Sequence, residues 1–211
     1  MIESVTGDRL LYDPDARLMR KSKREGYTQS YNCQAVVDAD GSQLIVGQRV
    51  TDCASDAGQL EPDLQSIPET LGQPTTALAD CGNADKAVFQ RLAGQRPGLD
   101  LYVSVHREDA HAERRYDFRP LDKIAAPKKI VDPVLMAMAD KLKTEAGRKK
   151  YRRRASTAEP VFGIIKAALG LRQFLLRGLQ KVSGEWNLVC VAYNLKRLHR
   201  LAAGQPATDA S

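Results

Sequence analysis

Between Tyr151 and Lys166 the chain places one carboxylate, Glu159, between three consecutive arginines, Arg152, Arg153 and Arg154, and the apolar run Val161 to Ile165. A carboxylate oxygen is a hard ligand suited to Mg²⁺ or Mn²⁺, and guanidinium and ammonium groups beside it suit the phosphate oxygens of a polyanion. At 3.6 residues per turn Glu159, Phe162, Gly163 and Lys166 share one helix face, with Lys166 two turns, roughly 10 Å, beyond the carboxylate. An acid and a lysine would then face one groove. The same residues permit a second reading. Ser156-x-x-Glu159 ahead of an apolar run has the spacing of a capping box, in which Glu159 closes a helix N-terminus and does no chemistry.

The charge around this segment is one-sided. From Lys141 to Arg154 the basic residues Lys141, Lys143, Arg148, Lys149, Lys150, Arg152, Arg153 and Arg154 are opposed only by Glu145. A second cluster, Arg17, Arg20, Lys21, Lys23 and Arg24, precedes the first expected strand. Across 211 residues, Lys plus Arg number 32 and Asp plus Glu 26, a formal net charge of +6, so the excess lies mostly in these two places. Such runs neutralise phosphates and release counterions, giving salt-dependent affinity without sequence readout. A solvated helix face is the alternative for either run.

The elements that must position these groups follow from periodicity. Residues 27 to 38 alternate and predict a strand; Asp40-Gly41 predicts a hairpin turn, and Leu44 to Val50 the returning strand. Leu60, Leu64, Ile67 and Leu71 form a helical stripe. Thr75 to Ala79 predicts a short buried strand that delivers Asp80, Gly82 allows the sharp turn after it, and Ala84 to Leu92 predicts a helix. Leu101 to Val105 predicts another strand, residues 107 to 130 an irregular connection, and Val131 to Thr144 a helix opened by Asp132-Pro133 with Val134, Met138 and Leu142 as its buried line. A long helix is expected over Glu185 to Leu201. Strands interleaved with helices define an α/β class with mixed strand directions.

Composition excludes several classes. The hydrophobic content of 43% supports a sizeable core, and the chain has neither a run of about 18 apolar residues nor a secretory n-region and h-region, so no membrane partner and a cytoplasmic location are expected. Cys33, Cys53, Cys81 and Cys190 show no C-x-x-C spacing, which predicts buried, reduced thiols rather than zinc or disulfides. Asp52, Asp56 and Asp85 read as caps or turn residues, and His106 and His111 have no ligand partner at suitable spacing.

Tyr151, then Arg153 or Arg154, then Glu159, then Lys166 seven positions on, followed by Leu179 to Leu198 containing Ala192-Tyr193-Asn194-Leu195, resembles the C-terminal signature of bacterial insertion-sequence DDE transposases, of the IS4-like group within that superfamily. Gly26-Tyr27 to Asp40-Gly41 resembles the family's strand-turn-strand, and Leu78-Ala79-Asp80-Cys81-Gly82-Asn83 its second-acid motif, so the resemblance runs over roughly residues 13 to 200. Two positions depart from it: Asn83 stands where the family usually has an aromatic, and Arg154 lies one residue further from Glu159 than in the commonest spacing. The resemblance implies an RNase H-like mixed sheet flanked by helices, missing its first strand, over residues 27–203; composition adds a basic N-terminal segment, 1–26, and a tail, 204–211, expected to be disordered. The resemblance also implies Asp80 and Glu159 as catalytic acids and ligands of Mg²⁺ or Mn²⁺, and Tyr151, Arg153, Arg154 and Lys166 as DNA-binding residues. The partner it implies is double-stranded DNA, at insertion-sequence ends and target, with a homodimer expected, and the reaction it implies is metal-dependent cleavage and strand transfer of phosphodiesters.

The family uses three acids, and its first strand, which carries the first of them, has no counterpart here; a helix-turn-helix is also missing. The expectation is an N-terminally truncated transposase. Asp13 and Asp15 are candidates for the missing acid, although Asp-Pro-Asp suits a turn or cap better. The alternative function is a DNA-binding transposase remnant unable to cut.

Overall fold

The structure, a computed structural model, describes residues 13–20, 26–106 and 130–204. The basic residues Lys21, Lys23 and Arg24, the connection containing His111, and the tail beyond Gly204 lie outside the described residues. The chain divides into two compact units, residues 1–73 with 153–211 and residues 74–152.

In the first unit, β1 (Arg17–Met19) pairs antiparallel with β2 (Thr28–Ser30), and β3 (Asn32–Val37) with β4 (Ile45–Thr51). The single strand expected over 27 to 38 is thus two strands that take different partners. The break falls at Tyr31, whose hydroxyl donates to both carboxylate oxygens of Asp13, at 2.9 and 2.8 Å, while its ring meets Phe174 edge-on at 6.4 Å. The β3–β4 turn is where the sequence places it: Asp38 accepts from the amides of Asp40 (3.1 Å) and Ser42 (3.3 Å), and Gly41 takes a φ of 108° that a side chain would resist. Helix α1 (Leu60–Gln65) is shorter than its apolar stripe, because Pro68 has no N–H to extend the ladder; a 3₁₀ turn, Glu69–Leu71, follows and leaves Leu71 61% exposed. Arg49 of β4 ties α1 down through Asp63 at 3.0 Å.

Two long helices complete this unit's core, α4 (Glu145–Ala167), which enters it at residue 153, and α5 (Leu179–Ala202). Val161 and Ile165 of α4 pack with Val182, Trp186, Cys190 and Tyr193 of α5 against Ile45 and Val50. Helix α5 begins six residues before the position the sequence predicts.

In the second unit, β5 (Thr76–Ala79) and β6 (Asp100–Val103) are parallel, joined by α2 (Lys86–Gln95). Asp85 caps α2 by accepting from Ala87 (2.8 Å) and Val88 (3.3 Å), and Val88, Phe89 and Leu92 face inward. Helix α3 (Pro133–Lys143) opens on Asp132 as expected, with Val134 N–H 2.9 Å from its carboxylate. Its expected buried line is only half-buried, and Ala139 is the buried residue. The α/β class therefore holds. The described strands form three two-stranded sheets, two antiparallel and one parallel, rather than one continuous mixed sheet.

Candidate functional site

Glu159 sits in the fifteenth position of α4, far from either end of the helix. The capping-box reading of Ser156 and Glu159 is therefore wrong: Ser156 Oγ donates back to the Arg153 carbonyl at 3.1 Å, mid-helix, and caps nothing. The true start of α4 lies at Thr144, whose Oγ1 accepts from Gly147 N at 3.0 Å and donates to Lys141 O at 2.7 Å. A methyl at Gly147 would stand 2.1 Å from the Lys141 carbonyl, so the tight α3–α4 junction requires glycine there.

Buried Val161 and Ile165 fix the rotation of α4, and this turns Glu159 outward, its side chain 65% exposed. Arg154 Nη2 lies 3.8 Å from Glu159 Oε1. Lys166 Nζ stands 6.0 Å from the centre of the Phe162 ring, which stacks on Trp186 at 6.0 Å and 12°. Glu159, Phe162 and Lys166 thus share one face, as the spacing predicts. Arg153 faces elsewhere, donating to Ala39 O at 2.6 Å and standing 3.2 Å from Asp40 Oδ1 on the hairpin. Of the two arginines left open by the sequence, Arg154 is the one beside the acid. Tyr151 is half-buried earlier in α4.

A proline follows Glu159 directly, and Pro160 has no N–H to bond the carbonyl of Ser156. Gln43 supplies the missing donor, its Nε2 reaching Ser156 O at 3.0 Å from a backbone φ of 53°. Sequence reading overlooked Gln43. The signal was present in Pro160: an interior helix proline frees a carbonyl one turn back and predicts an outside donor.

The hairpin that presents Gln43 is held from α5. Tyr193 OH donates to Gln43 O (3.1 Å), Asn194 exchanges two bonds with the backbone of Ile45 (2.9 and 2.8 Å), and buried Arg197 donates to Ser42 O (2.6 Å) and Gly41 O (3.1 Å). Tyr193-Asn194, singled out by the sequence as a signature, thereby acts as a brace for the loop that touches α4 at Ser156.

Asp80 follows β5 and caps a 3₁₀ turn, Cys81–Asn83; its Oδ1 accepts from Gly82 N at 3.0 Å and from Asn83 Nδ2 at 3.2 Å. Both bonds fall on one oxygen. The unexpected Asn83 thus becomes a partner of the acid. Asp80 belongs to the second unit and Glu159 to the first.

Asp13 and Asp15 are engaged elsewhere. Asp13 is 7% exposed, accepts from Tyr31 OH and, at 3.3 Å, from Gly178 N; Asp15 accepts from Leu179 N at 2.8 Å. Together they cap the N-terminus of α5, the role that Asp-Pro-Asp chemistry favours. Burial first, and then the hydrogen bond to Asp13, push the Tyr31 hydroxyl above its ordinary range. Asp85 is a cap, as the sequence proposes, while Asp52 pairs with Arg17 at 2.8 Å and Asp56 accepts from the amides of Asn32 and Gln34.

The basic run is not uniformly available. Lys141 and Lys150 reach the two oxygens of Asp100 at 2.6 and 2.8 Å and lie over the Tyr102 ring, at 4.1 and 5.2 Å from its centre. Their bonds, Lys141's first, hold the Asp100 carboxyl well below the usual range. Lys143, Arg148, Lys149 and Arg152 line an open groove with Glu145.

Carboxylate oxygens are the donor type a hard divalent cation takes, and Asp80 and Glu159 supply it. No cluster of three or more His, Cys, Asp or Glu side chains is gathered among the described residues, so the donor type fits and the full ligand set is not assembled there. No described helix is long and apolar enough to cross a membrane.

A helix carrying an outward acid between an arginine and a lysine, fed by a basic run, is the arrangement that the resemblance to DDE transposases implies. Residues 124–199 match the family model described as a transposase DDE domain, a span that includes Tyr151, Arg153, Arg154, Glu159, Lys166 and the Tyr193-Asn194 brace. No curated protein and no solved structure matches the chain.

Proposed function

We propose that the chain works as the catalytic portion of an insertion-sequence transposase, cleaving and joining DNA phosphodiesters with Asp80 and Glu159 as its acids. The observation that carries this reading is Glu159 itself, exposed in the middle of a buried-sided helix with Arg154 at 3.8 Å and Lys166 two turns on, within the span of the family match. A helix carboxylate with no capping duty and a cation on each side is arranged for a ligand.

Arg154 and Lys166 neutralise phosphate oxygens, the first as a fork and the second as a point charge, and Tyr151 and Arg153 border the strand on the N-terminal side. Asp80 and Glu159 would hold Mg²⁺ or Mn²⁺, which supplies activation of an attacking oxygen and stabilisation of the leaving one. The chain's own contribution is orientation: Asn83 and Gly82 fix the Asp80 carboxylate, and Gln43 and the α5 brace fix the Glu159 turn. An RNase H-like arrangement, double-stranded element ends and target as substrate, a homodimer pairing two ends, and a cytoplasmic location complete the proposal.

The test is nicking of supercoiled plasmid by the purified chain in Mg²⁺ or Mn²⁺. Glu159→Gln and Asp80→Asn should each lower the rate by roughly two orders of magnitude or more, the scale of losing several kcal/mol of charge stabilisation, while DNA affinity changes little. Rates untouched by both substitutions would overturn the assignment. The second reading, a binding remnant, is favoured by the lack of a three-acid cluster among the described residues, and salt-dependent binding without any nicking would establish it.

A further inference from the structure

Between α4 and α5 the chain makes a loop, residues 168–178, that turns two leucines outward. Leu176 is 48% exposed, and Leu175, at 80%, is the most exposed large hydrophobic side chain among the described residues. Single exposed leucines are ordinary on a protein surface, but here the fold fixes the backbone beneath two of them in succession. Phe174, next to Leu175, meets the Tyr31 ring edge-on at 6.4 Å. Glu185 of α5 turns its carboxylate onto the loop, accepting from Leu175 N at 3.0 and 3.1 Å and from Leu176 N at 3.0 Å. Gly178 closes the loop at a φ of 83°, and Asp13 and Asp15 take the amides of Gly178 and Leu179 at 3.3 and 2.8 Å. A carboxylate on consecutive amides is a strong tie, so the loop holds both leucines in solvent rather than letting them fold back.

Charge says what the leucines meet. Between Glu159 and Glu185 the sequence carries Lys166, Arg172, Arg177 and Lys181 and neither Asp nor Glu. All four cations are exposed. The carboxylates that reach this loop, Asp13, Asp15 and Glu185, each accept from backbone amides. Apolar side chains set among exposed cations match a nucleic acid, whose phosphates take the cations and whose base planes take an apolar edge. A lipid surface offers the same two chemistries, but acyl chains part around a flexible segment. Separating stacked bases needs a wedge that does not yield, and the ties from Glu185, Asp13 and Asp15 give the loop that property in advance.

We propose that Leu175, backed by Leu176, is a wedge that enters double-stranded DNA between neighbouring base pairs, while Arg172 and Lys181 hold phosphates beside the opened step. The proposal rests on the reading of DNA as the substrate and adds a point of contact outside the acid-bearing face of α4. Helix α4 runs about 12 Å from Glu159 to its last residue and the loop follows directly, so the opened step falls within one turn of duplex, about 34 Å, of a phosphate held at Glu159. Opening a step there loosens the duplex beside the phosphate that is to react. The energy needed is least where pairing is already broken, so a wedge binds mismatched DNA in preference to perfectly paired DNA. Contacts to phosphates alone carry no such preference.

The test is binding of the full chain in EDTA, where nothing is cut, to duplexes of about 20 base pairs that differ only in one central mismatch with 2-aminopurine beside it. Wild type should bind the mismatched duplex roughly tenfold tighter than the paired one and raise its 2-aminopurine emission as the step opens. Leu175→Ala combined with Leu176→Ala should bring that ratio close to one and abolish the rise, with affinity for the paired duplex and melting temperature little changed because both side chains are exposed. Leu175→Met should keep both signals. Glu185→Gln, which leaves the leucines in place and weakens their tie, should lower the ratio, the mark of a positioning residue. Equal binding of both duplexes by wild type, or a preference that survives the double substitution, would overturn the wedge and leave DNA standing as the substrate. A chain that binds no DNA would remove the wedge and the substrate reading together, and leucine-dependent binding to phosphatidylserine vesicles in its place would give the loop to a lipid surface.

Discussion

The carboxamide of Asn194 accepts from the Ile45 amide at 2.9 Å and donates to the Ile45 carbonyl at 2.8 Å, the pair of bonds a neighbouring strand residue would make. Leucine has nearly the same shape and neither bonding group, so Asn194→Leu leaves a half-buried amide and carbonyl unmet. The expected cost is about 1–3 kcal/mol, read as a lower midpoint in urea denaturation, with Asn194→Asp also destabilising, because its carboxylate keeps the acceptor for the Ile45 amide but sets its second oxygen against the Ile45 carbonyl. Gln43 differs. Its bond to Ser156 O is solvent-exposed, water can replace it, and its part is to hold the turn that carries Glu159 rather than to stabilise the unit. Chemistry-bearing residues were legible one at a time, from type and spacing; their partners were not, because Gln43 and Ser156 lie more than a hundred positions apart.

Two helices and a strand meet at Asp100. The β6 carboxylate holds Lys141 near the end of α3 and Lys150 in the first turns of α4, and Tyr102 donates to the same carboxylate at 2.9 Å. Because the folded carboxyl is held below its ordinary value of about 3.9, the contribution is present above roughly pH 4 and is lost as pH falls below it. Asp100→Asn should therefore lower the melting temperature by a few degrees at pH 6 to 7, with the difference from wild type shrinking steadily below about pH 4. A gap that stayed constant with pH would assign the effect to shape instead. Helix starts at Asp85 and Asp132 were readable from the sequence because capping is local chemistry. The end of α1 was misjudged because its apolar stripe continued beyond a proline, and the single strand expected over 27 to 38 was two because Asp13, distant in sequence, claims Tyr31.

For the whole molecule, the four cysteines distinguish surface from interior. Burial pushes the thiols of Cys33 and Cys190 up to about 12, whereas Cys53 is exposed, against the expectation that the thiols are buried. With folded values above the ordinary 8.5 or so, these two thiols add stability below about pH 8.5 and lose it as pH rises toward 12. Iodoacetamide at pH 8 should modify Cys53 rapidly and leave Cys33 and Cys190 unmodified until the first unit opens, as mass spectrometry of native and urea-treated protein would show. Equal labelling of all four in native protein would contradict the core assembled on Trp186.

The amino-acid sequence by itself determined the α/β class, the hairpin at Asp40-Gly41, the strand that ends at Ala79 and delivers Asp80, and the shared face of Glu159 and Lys166. All of these depend on residues within a few turns or strands of one another, where periodicity and turn chemistry act. Tertiary structure alone decided that Glu159 caps nothing, that Arg154 rather than Arg153 stands beside it, that Asp13 and Asp15 serve the N-terminus of α5, and that Lys141 and Lys150 are engaged by Asp100. Each of these is a choice among partners of equal local merit, and only the packing of distant segments makes that choice.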